Sequence, residues 1–117
     1  MTSNLVAATI SLLIQVESGG DCRALGDHGK AVGILQIHPA MVQMVNHLAK
    51  TNYTLLDRWD PWRSVEMAEI FLGHVLVTRD VTDPRVLARY WNQPTTGRPA
   101  KSYLKRIDRC WKQKEFQ

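Results

Sequence analysis

Glu17 is the acidic residue that falls where an apolar run, Asn4 to Val16, gives way to the pair Gly19-Gly20. The run predicts a helix, and the glycines let the chain leave helical geometry without steric cost. Glu17 therefore falls at a helix C-terminus. There the negative end of the macrodipole and the apolar neighbours both disfavour a carboxylate, which raises its pKa toward the range of a proton donor. On local pattern alone, the commoner role for such a Glu is a solvated surface residue. A second carboxylate, Asp27, lies in Gly26-Asp27-His28-Gly29, nine residues before Gln36. It reads either as a turn residue bonding nearby amides or as a second acid–base group.

The elements that must position these groups are helical. His38-Pro39, Asp60-Pro61 and Asp83-Pro84 each put a proline at a first helical position, and the helices they open run to about Lys50, Arg79 and Trp91. Val65, Ala68, Leu72, Val75 and Leu76 recur at helical spacing, as do Tyr103, Leu104, Ile107, Cys110 and Trp111 in a last helix, and both stripes are expected core. Met41, Met44 and Met67 are read as core filler. A short hairpin between Ala24 and Ala31 suits the turn residues there. At 117 residues with 44% apolar and 22% charged side chains, the expectation is one all-α domain spanning residues 1–117, with five to six helices.

Glu17-Ser18-Gly19-Gly20, followed by Ala31-Val32-Gly33-Ile34-Leu35-Gln36-Ile37 and then by Arg89-Tyr90-Trp91-Asn92-Gln93-Pro94, resembles the lytic transglycosylase and goose-type lysozyme superfamily. Trp59-Asp60-Pro61 and Ser64 to Ala68 are similar to a helix start between those motifs, so the resemblance covers nearly the whole chain. It implies a lysozyme-like fold and cleavage of the β-1,4 bond between N-acetylmuramic acid and N-acetylglucosamine in peptidoglycan, with Glu17 as proton donor and no cofactor. It implies substrate contacts for Gln36, whose amide can read an aminosugar, and for Tyr90, Trp91 and Asn92, by ring stacking and hydrogen bonding. At least one of those aromatics is expected in the core. Ser18 holds Glu17 or a neighbouring backbone group, or caps the turn.

Two mechanisms remain open within the resemblance. A lytic transglycosylase uses one Glu, which donates its proton and then takes one from the muramyl 6-hydroxyl. A goose-type hydrolase uses Asp27 to assist water, as an inverting enzyme does with carboxyls about 6.5–9.5 Å apart. The resemblance departs from the family at Ile34-Leu35, at Trp91, which stands where the family has Tyr, at Gln93, and at His38, where goose-type enzymes often carry an Asp. A non-catalytic glycan-binding or assembly module is the alternative of another class.

The net charge of +4 draws the protein toward acidic polymers such as those of bacterial walls. The basic run Arg98, Lys101, Lys105, Arg106, Arg109, Lys112 and Lys114 reads as a solvated helix face, and without a base-reading motif or zinc spacing no nucleic-acid partner is expected. Cys22, Cys110 and the four histidines, His28, His38, His47 and His74, form no ligand pattern, so no metal is expected. The cysteines read as a disulfide or as two buried thiols. No secretory signal or membrane span is legible, which leans toward a phage-type or leaderless protein acting at the wall, and a monomer is the default.

Overall fold

The computed structural model describes residues 3–94 and 97–115. Met1, Thr2 and the side chain of Lys114 lie outside the described residues. The fold is mainly α: helices α1 (Asn4–Glu17), α2 (Pro39–Ala49), α3 (Pro61–Thr78), α4 (Pro84–Asn92) and α5 (Lys101–Glu115), with one minimal hairpin between α1 and α2.

Local chemistry starts the helices where the sequence predicts. Ser3 caps α1, its Oγ accepting from the Val6 amide at 3.2 Å. Asp60 caps α3 and Asp83 caps α4, each followed by proline at the first helical position. His38 precedes Pro39 at the start of α2 but makes no side-chain cap bond. Its ring is engaged elsewhere, as described below.

α1 packs against α3, α4 and α5, so it is the central helix, which explains why its sequence is apolar around much of its circumference. Leu12 and Leu13 of α1, Met67 and Leu72 of α3, Leu87 of α4 and Ile107 of α5 are fully buried and meet in one core. Strands β1 (Leu25–Gly26) and β2 (Ala31–Val32) pair antiparallel, with Leu25 opposite Val32 and Gly26 opposite Ala31. The following run, Gly33 to Ile37, folds back so that the Val32 and Ile37 amides exchange bonds with each other's carbonyls, and it drops Ile34, Leu35 and Ile37 into the core. The hairpin is thereby fastened to the helices.

Two features depart from the sequence reading. A 3-10 helix, Leu55–Trp59, precedes α3; it is set by a capping box between Thr54 and Asp57 and inserts the buried Arg58 side chain. Met41 and Met67 are core, but Met44 is 37% exposed, because it sits on the face of α2 that borders a groove. Cys22 and Cys110 are free, each packed against the edge of the core.

Candidate active site

Glu17 is the last residue of α1, and the chain turns away behind it through Gly19 (φ 64°) and Gly20 (φ 94°). The carboxyl faces a cleft of about 330 Å³ that is also lined by Asp27, Gln36, His38, Trp91, Asn92 and Arg106. Burial raises the Glu17 pKa to about 7, opposed by a hydrogen bond from Tyr103 and by the positive charge of Arg106. The Tyr103 hydroxyl donates to Glu17 Oε2 at 3.2 Å. A carboxyl half-protonated near neutrality can donate a proton to a substrate and recover one within a cycle.

The hairpin supplies the other wall. Asp27 (φ 48°) and His28 (φ 57°) both occupy the left-handed region, a strained pair that their surroundings must hold in place. His38 Nε2 lies 2.8 Å from Asp27 Oδ2, and this bond is the first cause of the lowering of the Asp27 pKa. The ring that leaves α2 without a side-chain cap thus keeps Asp27 ionised at the cleft. Asp27 lies in the turn, but its side chain bonds the His38 ring rather than nearby amides, and its carboxylate lines the cleft.

Gln36, also left-handed at φ 49°, donates from Nε2 to the carbonyls of Ala24 (3.1 Å) and Gly33 (3.0 Å). Its donors brace the loop, leaving Oε1 as the group available to a ligand. Ser18 donates to the Ile34 carbonyl at 2.7 Å, tying the end of α1 to the same loop, and it does not line the cleft. Trp91 is buried: its indole donates to the Leu35 carbonyl at 2.8 Å and its ring meets Phe71 edge-on at 5.8 Å. It is the aromatic expected in the core, with one edge at the cleft. Asn92 is exposed and lines the cleft. Tyr90 does not join them; it borders a separate hollow of about 340 Å³ beside Phe71 and Val75. An intervening apolar hollow of about 280 Å³, lined by Met41, Met44 and Pro94, links the two into one groove.

Sequence reasoning missed Tyr103 and Arg106. Tyr103 was assigned to the core stripe and is 3% exposed, yet its hydroxyl reaches the acid. Arg106, read as part of a solvated face, is exposed as expected, but it also lines the cleft, its guanidinium 5.2 Å from the Tyr103 ring centroid. The available signal was their spacing, because residues three apart on a helix stack one above the other. Among the described residues, no three His, Cys, Asp or Glu side chains gather in a way that would hold a metal ion.

A helical core carrying its acid at the end of a central helix, with a small hairpin as the second wall of a groove, is a lysozyme-like architecture. The model of the transglycosylase SLT domain matches residues 2–104, and the chain belongs to that family. No curated protein and no solved structure matches it.

The Tyr103 bond yields a test. The phenol stabilises the Glu17 carboxylate, so Tyr103→Phe raises the Glu17 pKa further, and the acid stays protonated to higher pH. With Glu17 as proton donor, the role proposed below, the alkaline limb of a pH–rate profile should move up from about pH 7, while the maximal rate falls about tenfold because the Glu17 anion loses a donor. An unmoved limb would remove Tyr103 from the proton chemistry.

Proposed function

We propose that the protein cleaves the β-1,4 bond between N-acetylmuramic acid and N-acetylglucosamine in peptidoglycan, as a lytic transglycosylase acting at the bacterial cell wall. The observation that carries this reading is Glu17, held by Tyr103 in an open groove with its pKa raised to about 7. Glu17 donates its proton to the glycosidic oxygen as the C1–O bond breaks. The muramyl 6-hydroxyl then attacks C1 and gives its proton to Glu17, which returns the acid to its starting state and closes a 1,6-anhydro ring. A single carboxyl suffices, and no cofactor takes part. Gln36, Trp91 and Asn92 line the cleft beside the acid, and Tyr90 borders the far end of the groove, where a longer glycan strand would extend. Ser18 supports the site through the loop that carries Gln36. Residues 1–117 act as one unit, as a monomer; among the described residues no helix is long and apolar enough to cross a membrane.

A second reading, hydrolysis by a muramidase, is favoured by one observation: Asp27 is ionised in the same cleft and oriented by His38. Asp27 would then assist water in place of the 6-hydroxyl. The two separate in the soluble products released from purified sacculi, read by mass spectrometry. Products ending in 1,6-anhydromuramic acid support transglycosylation; reducing ends heavier by one water support hydrolysis. Asp27→Asn carries the same distinction. Turnover within about threefold of the parent fits transglycosylation, whereas a loss of about a hundredfold or more, the scale of a removed general base, fits hydrolysis. Binding without any release would leave a glycan-binding module.

A further inference from the structure

Arg106 is a cation on the wall of the cleft whose donors have no partner among the described residues. Among the described residues it makes neither a hydrogen bond nor an ion pair. The two carboxylates that share the cleft are each engaged, Asp27 by His38 at 2.8 Å and Glu17 by Tyr103 at 3.2 Å. The guanidinium nevertheless has a defined place, since it lies over the Tyr103 ring and that ring is anchored through its hydroxyl on Glu17. The result is a planar fork of N–H groups, one turn of α5 beyond Tyr103, opening onto the space a substrate would fill.

That fork matches a planar anion with two acceptor oxygens, above all a carboxylate. A polymer of N-acetylglucosamine carries none. A muramyl residue carries one on its lactyl ether when the peptide has been removed. When the peptide is present the lactyl group is an amide, and the stem supplies carboxylates of its own.

We propose that Arg106 binds a carboxylate borne by the muramyl residue and thereby makes the cleft select muramyl glycans over plain N-acetylglucosamine polymers. The inference rests on the peptidoglycan reading of the site and adds the group by which the substrate is recognised. It also explains why a positive charge stands beside an acid that must be protonated to act: a bound carboxylate neutralises Arg106 and removes its pull on the Glu17 proton.

The test is binding rather than turnover. The Glu17→Gln protein holds glycans uncleaved, and its affinity is measured calorimetrically for three ligands of equal length. These are an N-acetylglucosamine oligomer, a peptide-free muramyl glycan and a peptide-bearing muramyl glycan. The expected result is binding of one or both muramyl ligands about tenfold tighter than the plain oligomer, one tenfold step being the worth of a single charge-assisted contact. Adding Arg106→Gln should erase that margin without changing affinity for the plain oligomer, and Arg106→Lys should restore part of it. A margin confined to the peptide-free glycan assigns the lactyl carboxylate, and one confined to the peptide-bearing glycan assigns the stem. A margin on both means that either source reaches Arg106. Equal losses on all three ligands, or no loss on any, overturn the proposal and leave Arg106 as a modifier of Glu17 alone. Binding of none of the three, with no release from sacculi by the parent protein, overturns the glycan reading itself and this inference with it.

Discussion

Replacing Glu17 by Gln is expected to reduce release of muropeptides about a thousandfold or more, the scale of a lost general acid, while making the protein more stable. Gln keeps the shape of the side chain and an acceptor for the Tyr103 hydroxyl, but it has no proton to give. The gain in stability follows from the raised pKa. Between the ordinary carboxylate value of 4.5 and about 7 the folded protein holds a proton that the unfolded chain has released, so stability falls as pH rises through that window. Above it the cost levels off at about 3 kcal/mol, from about 1.4 kcal/mol for each unit of pKa. Glu17→Gln escapes this cost. Urea unfolding at pH 8 should show the variant more stable by about 2–3 kcal/mol, and at pH 4 the two proteins should nearly coincide. Equal stability at both pH values would mean that the Glu17 carboxyl is not desolvated, and the basis for its role as acid would go with it.

Gly33→Ala is expected to cost about 3 kcal/mol or more of stability and most of the activity. Gly33 sits at φ 84°, and a methyl group there would overlap the backbone carbonyl of Arg58. Backbone cannot swing aside as a side chain can. That carbonyl also accepts from Ser64 Oγ at 3.0 Å, and the Arg58 guanidinium donates to the carbonyls of Lys30 and Ile37. Displacing it pulls on the hairpin that carries Asp27 and on the loop that carries Gln36. Gly20→Ala is the control, because Gly20 is also left-handed but has open space around it, so only backbone strain of about 1 kcal/mol is expected. Thermal unfolding of the two variants decides the matter: if Gly33→Ala is no worse than Gly20→Ala, close approach to Arg58 is not what requires the glycine.

The helices were legible because their starts are written in short-range chemistry. Ser3, Asp60 and Asp83 accept from amides two or three residues on, and proline follows the last two directly. Glu17 was legible for the same reason, being fixed at a helix end by the glycines behind it. The environment of Glu17 was only half legible. That burial would raise its pKa could be read from its apolar neighbours, but Tyr103 lies 86 residues away and meets it through the packing of α5 on α1. Local periodicity assigned Tyr103 to the core correctly and could not reveal that its polar tip emerges at the acid. The motif containing Tyr90, Trp91 and Asn92 divided for a similar reason. On α4, successive residues point about 100° apart, so Tyr90 turns to another hollow, Trp91 enters the core and Asn92 reaches the cleft.

Arg58 has a consequence for how the cleft behaves as its surroundings acidify. Its guanidinium donates from beneath the hairpin to the carbonyls of Leu55, Lys30 and Ile37, and an arginine keeps its charge throughout the range in which the groups around it titrate. Glu17 changes protonation near pH 7. The brace between hairpin and helices does not. The ion that braces the hairpin is therefore a different one from the group whose proton comes and goes at the cleft: acidification protonates Glu17 while the bonds from Arg58 to the Lys30 and Ile37 carbonyls persist.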